Sequence, residues 1–333
     1  MTREEEVVRE RLTARRDRLA ELTRERPEER LVELMRRVDA ALAAMEIGEW
    51  GVCEECQEPI SRRRMAADPL LRVCIECLSE EARHALERDL EAAAQIQRRL
   101  LPERRVRHCE WEIAYLWEPH GAVSGDHVDV LRPQASGEPL HLILGDVVGK
   151  GVGASFLQSN LHALFHALSG AQLALPELVR RANRLFADAT GSASYATLTA
   201  LALGDGGRLA LANAGHPRPL FADARGVRPI EGAGLPLGLF GDSTYAAHEL
   251  SVQPGETLLL YSDGWTEAAK GEEEYGIGRA AAVLRRAAHL PLEELLAACR
   301  DDVDAFLAGG RRSDDLTLLA IRRTPDSEGA SPF

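Results

Sequence analysis

The chain has 333 residues, enough for one domain of about 200 residues and a smaller second one. Its 40 basic and 53 acidic residues give a net charge of −13, which excludes the electrostatic footprint of a nucleic-acid or anionic-membrane binder. Clustered carboxylates instead suit divalent cations, and with 45% hydrophobic but only 5% aromatic residues the core must be built from Leu, Val, Ile and Ala.

Residues 3–25 and 28–46 carry charged amphipathic helical patterns. In the second, Leu31, Leu34, Val38, Leu42 and Met45 share one face. Pro27 interrupts the run, which predicts a short helical hairpin, or one bent helix. The first twenty residues are dense in charge, and no apolar run approaches the ~20 residues of a spanning helix. A cytoplasmic compartment is expected.

Two CxxC pairs follow, Cys53 with Cys56 and, seventeen residues further on, Cys74 with Cys77. Each pair lets two thiolates reach one ion, and two pairs close a tetrahedral shell with no position left for substrate. The expected ligand is therefore one structural Zn²⁺, since paired CxxC without an export signal favours metal over disulfides. The flanking residues GEWGVCEECQEPI (48–60) and RMAADPLLRVCIECL (64–78) resemble the four-cysteine finger of the DksA/TraR regulators. In that family the finger sits beside a helical hairpin whose acidic tip enters the RNA polymerase secondary channel. Here the tip, RERPEER (24–30), lacks the Asp-x-x-Asp-x-Ala pattern, so the resemblance supports the finger and not polymerase binding.

A third helix is predicted over 79–101. Leu86, Leu90, Ala93 and Leu100 keep a four–three spacing, with Gln97 in the remaining seam position. Two readings stand: a coiled-coil seam joining two chains into a homodimer regulated by the zinc module, or a helix packed on its own domain. Pro102 ends it.

Beyond residue 107 the texture changes to short β-rich runs at 111–117, 140–147, 195–203, 208–215, 257–264 and 316–322. Helical patterns intervene at 152–169, 176–189, 278–288 and 292–308. Strands and helices come in blocks, which predicts an α+β fold with antiparallel sheets. The expected organisation is a helical hairpin with its finger at 1–78, a linker helix at 79–106, a catalytic domain at 107–323 and a disordered tail at 324–333.

Four acidic motifs lie far apart, each beside glycine and a strand: VSGDHVDV (123–130), LGDVVGKG (144–151), YSDGWTEA (261–268) and SDDLTLLAI (313–321). Carboxylates gathered at strand ends need a compensating cation. Oxygen donors without a His or Cys partner select Mg²⁺ or Mn²⁺. Singly, each Asp-Gly or Gly-Asp is more often a turn.

Taken in order with AAAQIQRRLLP (92–102), ATLTAL (196–201), NAGHPRPL (213–220), GLPLG (234–238) and EEYGIGR (273–279), the motifs resemble the metal-dependent protein phosphatases of the PPM family. The similarity is to the bacterial branch that includes the sporulation phosphatase SpoIIE and stress-response regulators. That resemblance implies an antiparallel β-sandwich flanked by helices and a protein serine/threonine phosphatase holding two Mn²⁺ or Mg²⁺. It implies Asp146 as the carboxylate bridging both metals, the Val147 carbonyl as a further ligand, Asp263 and Asp314 on the second metal, and Asp126 holding the first. Asp129 and Asp315 are supporting positions, and His127 and Val128 replace the aromatic residues more usual in the branch. Hydrolysis by a bridging hydroxide attacking phosphorus in line follows from such a pair. His216 is either a proton donor to the leaving oxygen or a hydrogen-bonded structural histidine. The substrate implied is a phosphorylated anti-sigma-factor antagonist.

Other chemistries fail on spacing. Gly145 is followed by three residues, not four, before Gly149, and Gly151 follows Lys150, so GDVVGKG is no P-loop. Cys109 and Cys299 lack a phosphate-cradling loop with an Arg and are expected as small apolar residues. A catalytically weak phosphoprotein-binding relative is the alternative within the family, yet all four aspartates are present. A transcription regulator acting through the finger is the alternative outside it.

Overall fold

The structure is a computed structural model that describes residues 3–25, 29–133, 135, 137–190, 194–232 and 234–325. It divides into two compact units, Met1–Arg88 and Asp89–Phe333. In the first, helices α1 (Arg3–Glu25) and α2 (Glu29–Ile47) pack together through Leu12, Leu19, Val38 and Ala41. Leu31, Leu34, Leu42 and Met45 lie against this cluster, as their helical spacing requires. The break at Pro27 and residues 26–28 of the 24–30 tip lie outside the described residues, as does the tail from 326. The short helix α3 (Arg62–Ala67) separates the two cysteine pairs, and Met65 and Ile60 pack beside Cys53 and Cys74. Helix α4 (Glu80–Leu100) follows without interruption.

The second unit is built on β1 (Arg105–His108), β2 (Trp111–Glu118), β3 (Asp126–Leu131), β4 (Leu140–Val147), β5 (Ala196–Leu203), β6 (Arg208–Ala214), β7 (Leu220–Asp223), β8 (Gly226–Pro229), β9 (His248–Ser251), β10 (Thr257–Tyr261), β11 (Ala269–Lys270), β12 (Glu273–Glu274) and β13 (Leu316–Arg323). One sheet has the order β1-β2-β13-β10-β7-β8 and the other β3-β4-β5-β6-β9, with β11 and β12 forming a small hairpin. Every pairing within the two sheets is antiparallel.

The sheets bury a common core between them: Ile113, Tyr115, Leu319 and Ile321 from one meet Val128, Leu142, Leu144 and Leu201 from the other. Helices α5 (Val152–Ser169) and α6 (Leu175–Thr190) cover the outer face of the five-stranded sheet through Leu161, Phe165, Val179 and Phe186. After the one-turn helix α7 (Asp263–Thr266), α8 (Gly276–Ala287) and α9 (Leu292–Leu307) cover the six-stranded sheet through Val283, Leu284, Leu295 and Val303. The α+β expectation is met, in four layers, helix–sheet–sheet–helix.

Three details differ from the sequence reading. The run 257–264 stops as a strand at Tyr261, because Asp263 begins α7. Strand β3 was not anticipated, since all six of its residues are buried and no alternation shows. Gln97 does not face a coiled-coil seam. It is 3% exposed, within its own unit, where its amide finds backbone partners. Leu86, in contrast, is 42% exposed, and Ile96, outside the expected seam, is 58% exposed.

Candidate metal centres

The antiparallel register sets Asp126 on β3 directly opposite Asp146 on β4, at the end where both strands meet the GDVVGKG turn. Asp126 is buried, and the Thr317 hydroxyl from β13 in the facing sheet donates to its Oδ2. The Asp126 amide donates to Ser124 Oγ at 3.0 Å. Asp263 enters at the start of α7, and Asp314 lies just ahead of β13. The Lys150 ammonium donates to the Ser313 carbonyl at 2.7 Å and to Asp314 Oδ2.

Two glycines permit this convergence. A Cβ on Gly125 would stand 3.1 Å from Asp146 Oδ1 and 3.2 Å from the Val147 carbonyl oxygen, so the backbone cradles both groups closely. A Cβ on Gly264 would come within 2.0 Å of the Asp315 carbonyl oxygen, so the 314–315 segment can approach α7 only across a glycine. Asp315 braces the loop: its Oδ1 accepts from the His120 amide at 2.6 Å and its Oδ2 from the Gly125 amide at 2.9 Å. It therefore positions the strand end that carries Asp126.

The electrostatics match a cation site. Burial, then the neighbouring Asp146, holds the Asp126 carboxyl well above the usual range. Burial and then Asp263, Asp314 and Asp315 push Asp146 up to about 7, against the opposing pull of Lys150. Asp263 is raised by burial and by Asp314. Carboxylates that raise one another in this way, with the Val147 carbonyl close to Asp146, offer oxygen donors of the kind Mg²⁺ or Mn²⁺ takes.

His216 stands differently. Its ring Nδ1 lies 2.8 Å from Thr197 Oγ1, its amide donates to Asn213 Oδ1, and burial drives it down to about 3. These contacts and the burial favour the second of the two readings above, a hydrogen-bonded structural histidine. Asp129 lies on the other face of β3 from Asp126, against α5, and so takes no part in the carboxylate group.

Sequence reasoning missed Lys150, Thr317 and the amide of Gln97. Gln97 Nε2 donates to the Ser124 carbonyl at 2.7 Å, and its Oε1 accepts from the Ser124 amide at 2.9 Å. The end of α4 thus holds the SGD turn by its backbone. The seam position flagged Gln97 as a polar residue on an apolar face; only the fold supplies its partner.

In the first unit the four thiols converge, with all ligand atoms within 4.8 Å of one another. Cys56 and Cys74 sulfurs lie 3.7 Å apart, and the Cys74 amide donates to Cys53 Sγ at 3.2 Å. Backbone amides around Cys56 and Cys74 lower the Cys53 thiol to about 6, toward the thiolate that a metal requires. The donor set fits Zn²⁺.

A four-layer sandwich carrying aspartates at the end of its inner strands is the fold of the PP2C-type phosphatases. A TM-score of 0.63 relates it to the SiaA-PP2C domain of Pseudomonas aeruginosa, at 24% identity over 73% of this chain and 98% of that one. The family model for Stage II sporulation protein E (SpoIIE) matches residues 136–324, more than half of the chain. The chain belongs to the SpoIIE family. Protein IcfG of Synechocystis sp. is 26% identical over 277 residues, 74% of this chain and 43% of IcfG. Phosphoserine phosphatase RsbP of Bacillus subtilis is 29% identical over 185 residues, 54% of this chain and 45% of RsbP. The chain thus spans less than half the length of these two curated relatives.

The raised acids give the protein a pH-dependent stability. An acid whose pKa rises on folding binds more protons in the native state than in the unfolded chain between the two pKa values. For Asp146 that window runs from 3.8 to about 7, so stability without Mg²⁺ falls as pH rises through it. The melting temperature in Mg²⁺-free buffer should drop between about pH 4 and about pH 7, and Asp146→Asn should flatten part of the drop. Added Mg²⁺ should raise it more at the higher pH. Melting that ignores both pH and Mg²⁺ would refute a cation-binding carboxylate group.

Proposed function

We propose that this chain is a metal-dependent protein serine/threonine phosphatase, acting on a phosphorylated anti-sigma-factor antagonist in the cytoplasm. The observation that carries the reading is the convergence of Asp126 and Asp146, paired across two strands, with Asp263 and Asp314 at one end of the sandwich. The name of RsbP, a phosphoserine phosphatase, supports the reaction class. Asp146, the Val147 carbonyl, Asp126, Asp263 and Asp314 would hold two Mn²⁺ or Mg²⁺ ions. When bound, such a pair supplies charge neutralisation for the phosphoryl group and an acidified water as nucleophile.

The chain's own residues set the stage for that chemistry. Thr317 fixes the orientation of the Asp126 carboxylate, Asp315 and Gln97 hold the turn before it, and Lys150 balances part of the charge on Asp314. Among the described residues, no helix is long and apolar enough to cross a membrane. The module at 1–78 is proposed as regulatory, with Cys53, Cys56, Cys74 and Cys77 holding one structural Zn²⁺. Leu86, exposed on α4, supports a homodimer through a linker-helix seam of Leu86, Leu90, Ala93 and Leu100.

Turnover of a phosphoserine antagonist protein should require Mn²⁺ or Mg²⁺ and fall at least about 100-fold in Asp146→Asn or Asp263→Asn, with the fold retained by circular dichroism. Full activity in either variant would reject the assignment.

Elemental analysis should find that Cys53→Ser has lost one zinc and that proteolysis cuts more readily within residues 48–78, since zinc binding is part of the folding energy of so small a module. Protein purified without chelator and free of zinc would contradict this.

Sedimentation should give a dimer at micromolar concentration that Leu90→Glu dissociates. A wild-type monomer would leave α4 as a connector within one chain.

A further inference from the structure

On the outer face of β3, away from the aspartate group, a second set of metal-ligating side chains meets. His162 and His166 stand one turn apart on α5, which places both rings on one helix face, with centroids 4.1 Å apart. Asp129 rises from β3 beneath them. Its Oδ2 lies 3.0 Å from His162 Nδ1 and 3.0 Å from His166 Nε2, and its Oδ1 lies 3.3 Å from His166 Nε2. All three donor atoms fall within 4.8 Å of one another. Ligands bonded at ~2.0–2.1 Å to a tetrahedral ion stand about 3.3 Å apart, so the spacing accepts such an ion with small adjustment.

His166 Nε2 and Asp129 Oδ1 share a hydrogen bond, yet other atoms of the cluster stay unsatisfied. Asp129 Oδ2 and His162 Nδ1 are both buried and, among the described residues, neither makes a hydrogen bond of good geometry. The Asp129 side chain is 3% exposed, so a carboxylate oxygen has been carried into the interior and aimed at two imidazoles. Its Oδ1 accepts from the Val130 amide at 2.8 Å, which anchors the carboxylate and leaves Oδ2 turned to the histidines.

The tautomer of a third histidine fixes the role it can take. The backbone of Ser124 sets the Gln97 amide, whose Nε2 faces Gln158 Oε1 at 3.3 Å. Gln158 must therefore present its NH₂ to His127 Nδ1, 3.1 Å away. The neutral His127 ring then carries its proton on Nε2, which points at Asp129 Oδ2 from 3.8 Å. His127 thus turns an N–H toward the carboxylate from beyond hydrogen-bond reach, and with its Nδ1 taken by Gln158 it is not a ligand.

We propose that Asp129, His162 and His166 form a binding site for a divalent transition metal of the Zn²⁺ class, tying α5 to β3. Two imidazoles and one carboxylate suit Zn²⁺, Co²⁺ or Ni²⁺ better than Mg²⁺ or Mn²⁺. Three protein ligands leave one position open, and the His166 side chain, 48% exposed, puts that position within reach of water. The site stands whether or not the aspartate group at the other face hydrolyses phosphoesters.

The test uses the full chain with Mg²⁺ in fixed excess, loaded with Zn²⁺ and desalted before elemental analysis. Wild type should retain one more zinc per chain than His166→Gln, and Cys53→Ser should lose a different one. With Co²⁺, Cys53→Ser should keep ligand-field absorption without thiolate charge-transfer bands, and His166→Gln in that background should lose it. Zinc added to protein whose cysteine site is already filled should raise the melting temperature of wild type but not of His166→Gln. His166 is half-exposed, so its substitution leaves the core intact; His162→Gln, read in the same way, provides an independent second variant. Equal zinc content in wild type and both histidine variants would overturn the proposal and leave the cluster as a hydrogen-bonded acid–base group.

Discussion

Placing Asp126 and Asp146 side by side at the end of a buried sheet is unfavourable, because each loses water and gains a like charge. Much of the second unit's local detail reads as accommodation of that one pairing. Thr317 reaches across from the facing sheet to the Asp126 oxygen, and Lys150 draws the Asp314 loop inward. Gly125 and Gly264 remove the side chains that would hold the segments apart. The sandwich matters to the site chiefly because its two sheets contribute different members: β3 and β4 from one, the segment before β13 and the turn after β10 from the other.

What the sequence made legible follows from how each element earns its pattern. Helix α5 was predicted with its observed limits, since one face packs on a sheet and the other meets water. Strand β4 likewise matched, an apolar run ending at a Gly-Asp. Strand β3 hid because both its faces are covered, one by the sandwich interior and one by α5, and its polar residues serve two separate clusters. The short strands β7, β8 and β9, four residues each, are too brief for any period to emerge. For Gln97 the heptad spacing identified a face but not what covers it. His162 and His166 form a visible i, i+4 pair, but nothing local reveals that Asp129 will lie beneath them.

Strand β3 therefore has two chemical sides. Asp126 faces the sandwich and oxygen-rich surroundings, whereas His127 and Asp129 face α5 and nitrogen donors. The three-residue separation is odd, so a pleated strand must send the two carboxylates to opposite faces. One short segment thereby presents two donor sets, one of oxygens and one mixing a carboxylate with imidazoles, on opposite faces.

The grip of Gln97 on Ser124 also bears on where the second unit can be cut. The family match begins at residue 136 and the first strand at Arg105, yet the turn carrying Asp126 is held from further upstream. A fragment started at the first strand would keep every aspartate but lose the amide that satisfies both polar groups of the Ser124 backbone. Each buried group so abandoned costs about 1–3 kcal/mol, enough to let the SGD turn drift. A piece of this fold that keeps the turn's partners thus begins inside a helix, ahead of the first strand, and dissection by sheet boundaries alone would lose them.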